Sequence, residues 1–108
     1  MEKNGLSIVY FEIHSKLCKK IRVSMAYWNY IVGIKHRTIR GLEDRVKDAL
    51  INPVEVRRSP KNSSVYLYYR RYQDKFICVV AKHLNGEGHI VTAYITKKFI
   101  RGEVVWRG

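Results

Sequence analysis

The stretch from residue 65 to residue 95 limits the possible folds of this chain more than any other part. It reads VYLYYRRYQDKFICVVAKHLNGEGHIVTAYI, with three β-branched and aromatic runs separated by two short polar connections. Runs of this kind are typical of strands, and Asn85-Gly86 tolerates the positive φ angles of a tight hairpin turn. The stretch therefore predicts three consecutive antiparallel strands, at residues 65–71, 76–83 and 90–95.

The second and third of these strands predict a sheet with two different faces, because successive side chains of a strand point in opposite directions. One face is purely apolar and predicts a covering layer of helices; it carries Ile77, Val79, Ala81, Val91, Ala93 and Ile95. The other face mixes polar with apolar side chains; it carries Phe76, Cys78, Val80, Lys82, Ile90, Thr92 and Tyr94. The mixed face is where we expect the functional site.

The flanking segments predict four more strands, at residues 6–13, 19–24, 54–58 and 103–106. Apolar residues at helical spacing predict helices at 25–36 and 39–51, with Ser24 and Thr38 as their N-caps. The order ββααβββββ predicts one α+β domain, in which two helices pack on one face of an antiparallel sheet. Along the chain, an N-terminal hairpin (1–23) precedes the helix pair (24–52) and the rest of the sheet (54–106).

The balance of charges indicates an anionic partner. Among 108 residues, 21 Lys and Arg face 9 Asp and Glu, so the formal net charge is +12. A domain of this size and charge repels itself, and binding to nucleic acid is the leading explanation because phosphates are bound by Lys and Arg. An anionic membrane, an acidic protein and a compositional bias toward basic residues are the alternatives.

Cysteine usage and hydropathy predict a cytoplasmic protein. Cys18 and Cys78 are the two cysteines, and Cys78 falls in a predicted central strand, which indicates reduced thiols rather than a disulfide framework. The chain has no apolar run of roughly 18 residues that would span a bilayer. Its N-terminal residues lack a signal-peptide pattern. We therefore expect no membrane partner.

Few acidic residues are available for metal-dependent chemistry. None lies in the three central strands, so clustered carboxylates that would hold catalytic metal ions are not expected. We predict no metal and no cofactor. RNA can instead be cleaved without metal, when the ribose 2′-OH attacks the neighbouring phosphate with the help of a base, an acid and donors that stabilise the developing charge.

The chain supplies residue types for that reaction in several places. His36 ends the first predicted helix, and the strand after the second helix ends with Arg57, Arg58 and Ser59. The mixed face of the sheet contributes Lys82, Thr92 and Tyr94. The first central strand adds Tyr69 and Arg71, which are candidates for stacking on and binding RNA bases.

Each candidate also has a purely structural interpretation. His36 would complement the dipole at a helix C-terminus, and Thr92 is ordinary strand composition. The arginine pair would be a solvated strand end, and the tyrosines would be cross-strand packing partners. His83 and His89 flank the hairpin turn and are interpreted as flexible surface residues, because a zinc site would need further ligands.

A series of short motifs between residues 24 and 106 resembles one nuclease family. In order, they are W-x-Y-I-x-x-x-K-H (Trp28 to His36), L-I-N-P (Leu50 to Pro53), V-R-R-S (Val56 to Ser59), Y-x-Y-Y (Tyr66 to Tyr69), C-V-V-A-K (Cys78 to Lys82), I-V-T-A-Y (Ile90 to Tyr94) and G-E-V-V-W (Gly102 to Trp106). This succession is similar to the phage- and bacterium-associated PBECR nucleases, within the barnase/EndoU/colicin/RelE-like (BECR) superfamily of small metal-independent RNases.

The resemblance implies a helix pair on an antiparallel sheet and an RNA-cleaving toxin or effector, often neutralised by an antitoxin or immunity protein. Carried over by position, the polar site residues would be His36, one arginine of the 57–58 pair, Ser59 and Thr92. Members usually have a histidine where this chain has Tyr30. Tyrosine, with a pKa near 10, is not a cation at neutral pH.

Together these observations predict a single-domain, metal-independent endoribonuclease of the toxin type, which cleaves single-stranded RNA such as mRNA or tRNA and leaves a 2′,3′-cyclic phosphate. His36 would be the acid or base, and Arg58 or Arg57 would hold the phosphate with Lys82. Three further side chains would orient it: Ser59, Thr92 and Tyr94. The alternatives are a nucleic-acid-binding module without catalysis and a basic protein that docks on an acidic antitoxin.

Overall fold

All seven predicted strands are present in the computed structural model, which describes residues 8–108. They are β1 (Val9–His14), β2 (Lys20–Ser24), β3 (Glu55–Arg58), β4 (Val65–Tyr72), β5 (Lys75–His83), β6 (Glu87–Thr96) and β7 (Glu103–Arg107). They form one sheet in the order β1-β2-β6-β5-β4-β3-β7. The first two residues of the predicted first strand lie outside the described residues. Gly86, with φ of 72°, makes the turn between β5 and β6 that Asn85-Gly86 predicted.

The sheet is mixed, so the prediction of an antiparallel sheet was wrong in one pairing. Strand β2 lies parallel to β6, with Lys20 to Arg22 beside Glu87 to His89. The other five pairings are antiparallel. The chain leaves β2 directly into a helix and returns on the far side of the sheet as β3. The direction of β2 relative to β6 is therefore set by this long crossover and not by a local turn.

The helical layer consists of α1 (Met25–Tyr30), a π-helical segment (Ile31–Lys35), a 3₁₀ turn (Arg37–Ile39) and α2 (Glu43–Ile51). The Ser24 hydroxyl accepts a hydrogen bond of 3.0 Å from the Tyr27 amide, which confirms the predicted cap. The predicted start of the second helix was wrong, because Gly41 adopts φ of 81° and Leu42 precedes α2. No helix among residues 8–108 is long and apolar enough to cross a bilayer.

Both helices pack on the same face of the sheet and build one core. The helical segments contribute Trp28, Ile31, Val32, Ile39, Val46, Ala49 and Leu50. The sheet contributes Ile21, Val23, Val56, Tyr68, Ile77, Val79, Ala81, Ile90 and Ala93. The protein is thus a single compact α+β domain. Its second sheet face carries no helix formed by residues 8–108, and we call it the helix-free face.

A β-bulge in β6 changes the predicted assignment of two side chains. Val80 pairs with Thr92 and Ala81 pairs with Ile90, which leaves Val91 as an extra residue on β6. An extra residue shifts the alternation of the strand by one position. Ile90 therefore belongs to the helix-covered core and Val91 packs on the helix-free face, the reverse of the prediction. Beyond the bulge, Thr92 keeps the predicted face.

Candidate functional site

The helix-free face has its own small apolar cluster, formed by Leu67, Tyr69, Cys78 and Val80 with partly buried neighbours. Phe99, from the connection between β6 and β7, covers its centre. The Phe99 ring stacks on Tyr69 with centroids 3.9 Å apart and meets Phe76 edge-on at 4.7 Å. The centre of this face is therefore occupied by protein, and the polar groups available to a ligand lie along the β6 margin.

A row of polar side chains crosses the face at one level. Tyr69, Cys78 and Tyr94 are direct cross-strand neighbours on β4, β5 and β6. Burial raises the pKa of the Cys78 thiol to about 12, although hydrogen bonding with Tyr94 and Tyr69 acts in the opposite direction. Burial likewise raises the pKa of both tyrosines. All three groups are therefore neutral at pH 7, and the tyrosine hydroxyls act as hydrogen-bonding groups rather than as bases.

His36 meets this row at its β6 end. The residue follows the π-helical segment, and its amide donates a hydrogen bond of 2.8 Å to the Ile31 carbonyl. Its imidazole lies against the Tyr94 ring, with centroids 5.4 Å apart. Partial burial and the charge of Lys35 lower the pKa of His36 below its ordinary value of 6.5. The imidazole is therefore mostly neutral at pH 7 and can accept a proton.

Thr92 stands two residues before Tyr94 on the same face of β6. Its Oγ1 atom is buried and meets no hydrogen-bond partner among residues 8–108. Buried hydroxyls almost always have a partner, since an unmade bond costs roughly 1–3 kcal/mol. Val80 of β5 is the direct cross-strand neighbour of Thr92. Lys82 follows Val80 by two residues on the same face and is half-buried. We call His36, Lys82, Thr92 and Tyr94 the β6 site.

Arg57 lies on the helix-free face but away from the β6 site. Its guanidinium is ion-paired with Glu55, donates to the Ile100 carbonyl at 3.0 Å and lies over the Phe99 ring. Pairing runs from Arg57 through β4 and β5 to Thr92, which is three strand spacings, or roughly 14 Å between backbones. Because its guanidinium is also held by Glu55 and Ile100, Arg57 is not placed to hold the same phosphate as Thr92.

Arg58 points to the opposite face of the sheet. It donates to Glu103 at 2.9 Å and to the Tyr66 hydroxyl at 2.5 Å, and it pairs with Tyr66 in the ladder. Ser59 begins the loop after β3, where its hydroxyl accepts a hydrogen bond from the Lys61 amide. The structure therefore does not bring Arg58 together with His36 and Thr92 as the sequence predicted.

The two predicted stacking residues have different environments. Tyr69 is fully buried beneath Phe99, and its hydroxyl accepts a hydrogen bond from the Ile100 amide, so no base can stack on it. Arg71 is exposed, with its guanidinium 4.9 Å from the centre of the Phe76 ring. Of this pair, only Arg71 is accessible to a ligand.

His83 was wrongly interpreted as a flexible surface residue. It is buried, stacks on Tyr66 with centroids 3.9 Å apart, and its Nε2 lies 2.8 Å from the Tyr68 hydroxyl, which donates to Ser15. Burial, with the charges of Lys19 and Arg58, lowers the pKa of His83 to about 4. Its position two residues after Ala81, on the helix-covered face, was the signal in the sequence that indicated burial.

Metal-ligating residues do not gather in the described part of the chain: among residues 8–108, no three His, Cys, Asp or Glu side chains are placed to share an ion. Comparison with known proteins assigns no relative, because no family model, no curated protein and no solved structure matches this chain. The functional argument therefore depends on the geometry of the chain itself.

Proposed function

We propose that this protein binds RNA along the β6 margin of its helix-free face and cleaves it as a metal-independent endoribonuclease. The observation that carries the proposal is the neutral His36 imidazole against Tyr94, on the face where the buried Thr92 hydroxyl has no partner among residues 8–108. The formal charge of +12 supports a polyanionic substrate.

In this mechanism, His36 accepts the proton of a ribose 2′-OH. The 2′-oxygen attacks the adjacent phosphorus, the bond to the 5′-oxygen breaks, and that oxygen leaves with a proton from water. The products are a 2′,3′-cyclic phosphate and a 5′-hydroxyl. Thr92 would donate its unused hydroxyl hydrogen to a non-bridging phosphate oxygen, and Lys82 would balance the negative charge that develops there.

The same geometry sets an upper limit on the rate. One positioned base contributes typically 10²–10⁴-fold. Tyr94 is a poor proton donor to the leaving oxygen because burial raises its pKa. Arg57 is held by Glu55 and is not placed to help at the same phosphate. We therefore propose slow cleavage, well below that of an RNase with a matched acid and base.

The test is cleavage of a labelled single-stranded RNA in EDTA, with mass spectrometry of the product ends. We expect a 2′,3′-cyclic phosphate, no cleavage of 2′-O-methyl RNA, and at least a hundredfold lower rate for His36→Ala. His14→Ala is the matched control, since His14 is an exposed histidine at the end of β1. The rate should rise with pH and level off at a lower pH than for a histidine of ordinary pKa, because partial burial and Lys35 lower the pKa of His36. Intact RNA, or equal rates for His36→Ala and wild type, would refute the proposal.

One observation favours RNA binding without cleavage as a second candidate. The two arginines expected to hold phosphate are each ion-paired with an acidic side chain of the same chain, Arg57 with Glu55 and Arg58 with Glu103. A binding module would retain 2′-O-methyl RNA with an affinity that falls steeply with salt, and it would yield no products. The cleavage assay above separates the two candidates.

The wider biological setting is part of the same proposal. A toxin-like RNase would act on mRNA or tRNA in the cytoplasm, and an acidic antitoxin or immunity protein would neutralise it. The high positive charge supports an acidic partner, and the motif resemblance supports the BECR arrangement of helices and sheet. Co-purification with a small acidic protein encoded beside it would test the partner.

A further inference from the structure

A cleft of about 600 Å³ opens where β2 separates from β6. It lies beside the part of β6 that precedes Thr92 of the β6 site. Its walls are both apolar and polar, and include Val9, Arg22, Ser24, Tyr27, His89 and Val91. The Tyr27 hydroxyl closes one end by donating a hydrogen bond of 2.7 Å to the Val91 carbonyl. The volume lies within the range of small-molecule sites, which combine apolar walls with a few polar groups.

The charges around Arg22 argue against a phosphate site. Its Nη2 donates to Glu87 at 2.7 Å, and its Nε lies 3.6 Å from a Glu12 carboxylate oxygen. These two carboxylates already balance the guanidinium and the nearby Lys20. An anion entering the cleft would therefore gain little attraction and would be repelled by both acids.

A hydrogen-bond donor nevertheless remains unused in the cleft wall. Arg22 Nε is not this donor, because it is shielded from solvent and faces the Glu12 carboxylate at 3.6 Å. Ser24 accepts a bond from the Tyr27 amide, so its own hydroxyl hydrogen is available to a ligand. A suitable ligand is uncharged, presents acceptors at its edge, and has apolar faces that fit between valine side chains and the Tyr27 ring.

We propose that this cleft binds a nucleobase. A base is neutral and planar, and a carbonyl oxygen or ring nitrogen at its edge would accept a hydrogen bond from the Ser24 hydroxyl. Unpaired RNA bases are commonly bound in this way, by stacking on aromatic rings and by bonding along the base edge.

This proposal extends the proposed function. The claim that the base belongs to an RNA strand rests on that proposed function. Val91, the bulged residue, lines the cleft, and Thr92 of the β6 site follows it directly. A base in the cleft would thus belong to a nucleotide close to the phosphate at Thr92. The cleft would hold the strand in register and supply the preference for one base over the others.

The test follows the resonance of the Tyr27 amide, which donates to Ser24 Oγ, by NMR during titration with each of the four ribonucleosides and, separately, with inorganic phosphate. We expect at least one nucleoside to shift this resonance together with the Val91 amide, and phosphate to leave both unchanged. Nucleosides carry no phosphate and undergo no cleavage, so this result is independent of RNase activity. A 2′-O-methyl hexanucleotide should shift the same resonances. This result would show that the cleft accepts a base that is part of an RNA strand and not only a free nucleoside.

A matched pair of variants tests the location. Val9→Trp places a ring in the mouth of the cleft from an exposed position on β1, and Val104→Trp makes the same change at an exposed position on β7, the other edge of the sheet. We expect at least tenfold weaker nucleoside binding for Val9→Trp and less than twofold change for Val104→Trp. Equal affinities, no nucleoside shifts in wild type at millimolar concentration, or the same shifts with phosphate would each overturn the base-binding cleft. Such a result would leave the cleavage assay to decide the RNase proposal by itself.

Discussion

The burial of His83 predicts that the protein loses stability in mildly acidic solution, as the pH falls below 6.5. In the unfolded chain the histidine pKa is 6.5, and in the folded protein it is about 4. Between these values the unfolded chain binds a proton that the folded protein does not. The free energy of unfolding therefore rises with pH across this window, and the contribution of His83 is complete above pH 6.5.

The size of the effect follows from the difference between the two pKa values. Each pKa unit corresponds to about 1.36 kcal/mol, so the full difference is about 3 kcal/mol. Between pH 7 and pH 4.5 we expect a loss of about 2.5 kcal/mol. That is a large part of the stability of a small domain, which is typically about 5–15 kcal/mol.

The assay is urea unfolding at pH 7 and at pH 4.5, followed by circular dichroism. His83→Gln keeps a group that can bond to Tyr68 but does not titrate, so its difference between the two pH values should be about 2.5 kcal/mol smaller than that of wild type. His14→Gln, on the exposed end of β1, should keep the wild-type difference. If His83→Gln loses as much stability on acidification as wild type, the reasoning is refuted.

Three further experiments test the fold and its charges. Ser24→Ala should lower the free energy of unfolding by about 1 kcal/mol, and an unchanged melting curve would contradict its role as a cap. In Gly88→Ala, the added Cβ would collide with a carbonyl oxygen of β5, so we expect a loss of about 2 kcal/mol, whereas Gly33→Ala meets open space and should lose nothing. Glu55→Gln should lower stability by about 2 kcal/mol and, by freeing Arg57, tighten binding to 2′-O-methyl RNA; unchanged affinity would show that Arg57 does not meet RNA.

The parts of the fold that could be predicted from the sequence are those set by neighbouring residues. The alternation of side chains predicted the three central strands. Asn85-Gly86 predicted the hairpin between β5 and β6, and the Ser24 hydroxyl predicted a helix cap. Each depends on contacts only a few positions apart. The parallel pairing of β2 with β6 could not be predicted in this way, because it joins segments such as Arg22 and Glu87 that are 65 positions apart.

The candidate site was predictable to the same extent. Thr92 and Tyr94 lie on the expected face, because the period of two is intact beyond the bulge. The bulge itself exchanged Ile90 and Val91, and no residue type there indicates an inserted position. The order of strands in the sheet placed β3 three strands away from β6 and so separated Arg57 from Thr92, and a long connection laid Phe99 over Tyr69. Such placements depend on tertiary packing, which alternation alone does not contain.

The three-residue parallel pairing between β2 and β6 also has a consequence for the order of assembly. Strands β3 to β6 follow one another along the chain and close short loops, so they are expected to form early. The β1–β2 hairpin joins them late, since its partner strand is distant in sequence and the ladder between β2 and β6 is three residue pairs long. The same junction should be the first part of the sheet to exchange its amide hydrogens with solvent. The nucleobase cleft would then exist only in molecules whose hairpin has docked.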